Sequence, residues 1–143
     1  METEQEKLTT FFRFEDLRIY HKALEYINWA YGVSTNAGNH LFAKYFFEKF
    51  ISSASGIALN IAEGSSRNKS QFVYYLKMAK SSVRECVVLT TIGQAHHFLP
   101  KDKFEESKIQ LMEMTKMIGA LIGSLQRSVK PGETTDEEEE EAA

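Results

Sequence analysis

The sequence predicts an all-α protein, an antiparallel up-down-up-down four-helix bundle, and three observations carry that reading. Apolar residues recur at three- and four-residue spacing in four separate stretches, and no stretch alternates convincingly as a strand would. Both prolines, Pro100 and Pro131, fall outside those stretches, where a missing N–H and a ring clash end helices without breaking one internally. The segments between the stretches are short, so consecutive helices must run in opposite directions. A chain of 143 residues with 43% hydrophobic side chains is long enough for one core and too apolar for wholesale disorder. The lone Cys86 excludes an internal disulfide and any multi-cysteine metal site. No run reaches the roughly 20 apolar residues of a membrane span. The opening Met1 to Lys7 is acidic where a signal peptide is basic and then apolar, which places the protein in the cytoplasm with no membrane partner.

Residues 1–11 read as a flexible N-terminal segment, 12–130 as the bundle domain and 131–143 as a disordered acidic tail. The first bundle helix carries Leu17, Tyr20, Leu24, Ile27 and Tyr31 on one face and stops in Gly32 to Asn39, a segment rich in turn formers. The second carries Phe42, Phe46, Phe50, Ala54, Ile57 and Ile61 and ends at Gly64, the residue type suited to a left-handed closing position. The third opens at Asn68 with Gln71 three residues later, holds Phe72, Leu76, Ala79, Val83, Cys86 and Thr90 on one face, and is expected to reach about Phe98. The fourth opens with Asp102 and Glu105 in capping-box spacing and carries Leu111, Met114, Ile118, Leu121 and Leu125 as a heptad-like seam. Met112, Met117 and Ile122 exceed what one seam requires, as do Phe11, Phe12, Phe14, Tyr45, Phe46 and Phe47 earlier in the chain. Surplus apolar faces predict a subunit interface. Gly119 and Gly123 are spaced for close helix approach, between subunits or within one.

The segment Ser53 to Arg67, SASGIALNIAEGSSR, followed by Phe72 to Glu85, FVYYLKMAKSSVRE, resembles the small four-helix-bundle family of 23S ribosomal RNA intervening-sequence proteins. Phe14 to Ala23 is similar to that family's opening motif, and the most specific piece is Asn60-Ile-Ala-Glu63-Gly64 with Arg67 and Phe72 after it. The likeness covers roughly residues 12–126. It implies the four-helix fold and assembly into a homopentameric ring. A related branch, the accessory variability determinant proteins of retroelements, binds nucleic acid and partners a reverse transcriptase, so the resemblance implies RNA or DNA and such an enzyme, or another protein, as partners. Tyr20 stands where the family commonly has Trp, which keeps an aromatic anchor, and the Gly/Asn-rich first loop and the acidic tail also depart from the pattern.

Ser53, Gly56, Asn60, Glu63 and Arg67 form a small and polar stripe on the second helix. On a structural reading Gly56 lets another helix approach, while Asn60 and Glu63 satisfy buried donors or cap the third helix. On a functional reading Asn60 and Glu63 are a site, but one carboxylate with no fitting second acid, His or nucleophile runs no standard acid–base or covalent scheme. His96 and His97 are adjacent, about 100° apart on a helix, which suits a helix C-terminus and not a shared metal. His21 and His40 lack ligand spacing, and Cys86 reads as an inert small hydrophobe. Neither a catalytic residue, a cofactor nor a metal is expected.

Charge is more telling. The tail holds seven acids and no Lys or Arg, so residues 10–130 carry a net charge of +6 although the whole chain is −3. Lys77, Lys80 and Arg84 fall at i, i+3 and i+7 on the third helix, and Arg67 and Lys69 sit at its start. This edge is either an ordinary solvated face or, repeated around a ring, a basic annulus for a phosphate backbone. Arg13, Arg18 and Lys22 are read as its extension. The expected function is a non-enzymatic nucleic-acid-binding bundle, accessory to a nucleic-acid enzyme, in which the tail competes as a tethered polyanion. The alternative is a protein-binding scaffold whose apolar faces and tail recruit a partner.

Overall fold

A computed structural model describes residues 1–128, apart from the side chains of residues 9 and 10, and the acidic tail at 131–143 lies outside the described residues. A short helix α1 (Glu4–Phe11) and a 3-10 turn (Arg13–Asp16) precede four long helices, α2 (Arg18–Ser34), α3 (Leu41–Ser65), α4 (Lys69–Ala95) and α5 (Lys101–Arg127). The long helices pack in sequence order, α2 on α3, α3 on α4 and α4 on α5, with α2 also meeting α5 to close the bundle. None of them is long and apolar enough to cross a membrane.

The core is built on α3, whose Phe46, Phe47, Phe50, Ala54, Ile57 and Ile61 are buried. The Phe46, Phe47 and Phe50 rings lie edge-on or stacked within 5.7 Å, so two of the aromatics read as surplus are core residues. Val73, Leu76, Ala79, Val83 and Cys86 of α4 and Leu111, Met114, Ile118 and Ile122 of α5 complete it. On α5 the seam drifts: Ile122 is buried, while Leu121 and Leu125 are half-buried. On α2 the deep face is Ile19, Ala23, Tyr26, Ala30 and Val33, one residue round from the expected stripe. Leu17, Tyr20, Leu24 and Ile27 pack only against the core's rim, and Tyr31 is exposed. The alanines allow α2 close to α3, and the larger side chains flank that contact.

Several termini depart from expectation. The N-terminal segment read as flexible contains α1, opened by a complete Thr3–Glu6 capping box. Asn68 caps α4 as expected, accepting from the Gln71 N–H at 2.9 Å. At α5 the N-cap is Pro100, with no side-chain cap, and Asp102 sits in the first turn, where its charge favours the helix dipole. α4 stops at Ala95, short of Phe98, because the Gly93 carbonyl accepts the Phe98 and Leu99 N–H groups and His97 adopts a left-handed φ of 63°. Gly64 does not close α3, which continues to Ser65. Its role is close approach: a Cβ there would lie 2.6 Å from the Tyr75 Cβ on α4.

Candidate nucleic-acid interface

The path of α4 sets the basic edge. Tyr75, Ser82 and Gly93 face α3, since added Cβ atoms at Gly64 and Gly56 would meet Tyr75 and Ser82, and one at Gly93 would meet Phe46. At about 100° per residue, Lys69, Lys77, Lys80 and Arg84 share a sector of roughly 80° on the opposite flank. That flank borders α5: the Lys69 ammonium donates to the Ser128 carbonyl at the end of α5, 3.3 Å away. Lys69 and Arg84 are exposed, whereas Lys77 and Lys80 are half-buried, their stems lying along the bundle. Arg84 donates to the Ser81 hydroxyl at 3.0 Å, and among the described residues neither Arg84 nor Lys80 pairs with a carboxylate. Their charge is therefore available to a ligand.

The other predicted cations are held differently. Arg67 is clasped by Glu63 one turn earlier and lies over the Tyr75 ring, 4.9 Å from its centroid, and the carboxylate raises its pKa further. Lys22 bridges to Glu113 of α5 at 3.3 Å and to Glu25 at 3.5 Å, and Glu113 before Glu25 raises its pKa. Arg18 borders a groove between α2 and α5, beside Leu17, Ile19, Met117 and Leu121. Arg18 and Lys22 thus lie on the α2 side of α5, across that helix from the α4 edge. Exposed Arg13 sits in the turn before α2, where it lines a cleft with Phe12 and Leu59. The partners Glu113 and Glu63 explain the difference: Glu63 stood one helical turn from Arg67 in the sequence, whereas the Lys22–Glu113 pair is a tertiary contact.

Asn60 and Glu63 do not cap α4. The Asn60 amide donates to the Gly56 carbonyl within α3 at 2.8 Å, and Glu63 turns to Arg67. Gly56 fulfils the structural reading, with Ser82 against it. His40 caps α3 by accepting the Ala43 N–H at its Nδ1, a task outside the usual Ser, Thr, Asp and Asn set. Burial pushes the Cys86 thiol up to about 12, far from a thiolate nucleophile. Gly119 meets no neighbour and Gly123 only Arg127 of its own helix, so neither marks a close approach within the chain.

With this geometry in view, residues 15–120 match the family described as 23S rRNA-intervening sequence protein. The chain belongs to this family. The match spans the 3-10 turn through most of α5, and so takes in the whole α4 edge. No curated protein and no solved structure matches the chain.

Proposed function

We propose that this member of the intervening-sequence protein family is a non-enzymatic bundle that assembles with copies of itself, as a homopentameric ring, and binds RNA or DNA through phosphate contacts along α4. The observation that carries the reading is the Lys69–Lys77–Lys80–Arg84 flank, with Lys80 and Arg84 paired to no carboxylate among the described residues. Assembly draws support from apolar side chains that stay exposed on the outer faces of α3 and α4, among them Phe42, Tyr45, Leu59, Met78, Val88 and Ile92. In a closed ring the flank recurs once per subunit, which multiplies weak contacts into useful affinity. The protein acts in the cytoplasm as an accessory to a nucleic-acid enzyme such as a reverse transcriptase.

Fluorescence anisotropy with a labelled structured RNA over 50–200 mM salt tests the proposal. Binding weakens steeply with salt, and Lys77→Glu/Lys80→Glu/Arg84→Glu lowers the log–log salt slope by about three units if each side chain meets one phosphate. Unchanged binding by that variant overturns the reading. The same exposed α3 and α4 side chains favour a second reading, a scaffold for another protein. Removing residues 131–143 separates the two: it tightens RNA binding under the first and weakens the partner complex under the second.

A further inference from the structure

α1 presents its described side chains to solvent. Among the α1 residues whose side chains are described, none belongs to the core and every one is exposed, Leu8 at 66% and Phe11 at 75%. Phe12, next in the chain, is 48% exposed and meets the Phe11 ring edge-on at 5.0 Å. Eight residues are too few for a helix to persist in water on propensity and a capping box alone. The apolar edge Leu8–Phe11–Phe12 is the feature that contact with another surface would stabilise. Beside it opens a cleft of about 550 Å³ whose far wall is Leu59, Ala62 and Glu63 of α3.

Charge selects the occupant. Residues 1–9 hold Glu2, Glu4 and Glu6 against one Lys7, whereas residues 10–130 carry +6. An acidic arm is repelled by nucleic acid and by anionic lipid, and attracted to a basic surface that offers uncovered apolar side chains, such as the +6 body of a second copy, whose −3 total comes from its terminal acids. Phe42, Tyr45, Met78 and Ile92 on α3 and α4 are such side chains. We infer that α1 is a docking arm whose Leu8–Phe11–Phe12 edge is covered by a second copy of this chain. The inference rests on the self-association proposed above and adds the element that clasps the copies.

Native mass spectrometry and sedimentation velocity on the full chain, before and after Leu8→Asp/Phe11→Asp, test it. Because no described side chain of α1 belongs to the core, the variant keeps the four long helices and loses at most α1's small share of the helical circular dichroism signal. Its assembly dissociation constant rises about a hundredfold, as expected for losing two apolar anchors. Glu2→Lys/Glu4→Lys, which leaves the Thr3–Glu6 capping box in place, gives a smaller loss that shrinks at high salt. A wild-type assembly matched in mass and affinity by the Leu8/Phe11 variant overturns the arm while leaving self-association standing. A wild-type chain that is monomeric at every concentration overturns both. Trypsin protection at Lys7 that follows added RNA and not protein concentration assigns the edge to nucleic acid, and also overturns the arm.

Discussion

The hydroxyls of Tyr26 and Ser107, 81 positions apart, meet at 2.8 Å in the middle of the core. Ser107 meets Thr90 as well, at 2.7 Å, and Thr90 returns a hydrogen bond to the Cys86 carbonyl. Three helices are therefore joined by one buried chain of hydroxyls in which each member is satisfied. Ser107 is the middle link, so Ser107→Ala strands the Tyr26 hydroxyl and costs about 1–3 kcal/mol. Tyr26→Phe leaves the Ser107–Thr90 bond intact and costs about 0.5–1.5 kcal/mol. The double variant is less destabilised than the sum of the two, because no orphan hydroxyl remains. Urea midpoints at constant m-value measure all three.

Alkali should destabilise the protein through the same region. Burial pushes the Cys86 thiol from 9.0 up to about 12, and it raises the Tyr26 phenol above its ordinary 10.0. In both cases the folded chain keeps a proton that the unfolded chain releases. The stabilisation is full below the ordinary pKa and is lost as pH rises toward the folded value. For the thiol the window is pH 9 to 12, with a slope approaching about 1.4 kcal/mol per pH unit. Cys86→Ala removes that component of the slope, read from urea unfolding at stepped pH, whatever it does to stability at pH 7.

Two glycines should respond oppositely to the same substitution. Gly64→Ala forces a Cβ toward the Tyr75 Cβ, backed by the Phe72 ring at 3.0 Å, and overpacking of this kind costs about 1–3 kcal/mol. Gly119→Ala meets open space on exposed α5, so the gain in helix propensity, about 0.5–1 kcal/mol, is realised. Thermal midpoints of the two variants should move in opposite directions.

The split among the cations predicts a split in binding. Lys80→Ala and Arg84→Ala each remove about one unit from the salt slope for RNA. Lys22→Ala and Arg18→Ala, on the α2 side of α5, leave both slope and affinity near wild type. Equal effects from all four in anisotropy titrations would show a diffuse surface in place of an edge.

Local signals in the sequence were faithful where one element decides the outcome. Asn68 announced the α4 N-cap, and the α4 apolar face from Leu76 to Thr90 could be read directly. Tertiary choices were not legible. Which face of α2 turns inward depends on how closely α3 approaches, so Ala23 and Ala30 beat the bulkier stripe at Leu24 and Ile27. Thr90 and Ser107 looked like ordinary helix positions until three helices converged on them. The basic stripe followed from α4 alone, but the neutralisation of Lys22 required the Glu113 of another helix. Thr3 and Glu6 carried a start signal that segment 1–11, judged by its charge, concealed.

The corner at His97 also bears on the order of events when the chain collapses. Seven consecutive residues, Gly93 to Leu99, fix that turn through two amides on one carbonyl and a single reversed torsion. Closing so short a loop forfeits little chain entropy, so the hairpin of the last two rods can form at the pace of local contacts. The first long rod must span a greater sequence distance to dock against the last, and its arrival completes the hydroxyl chain. The α3–α4 connection at 66–68 is shorter still, so the rod that carries the cationic flank takes part in both local hairpins.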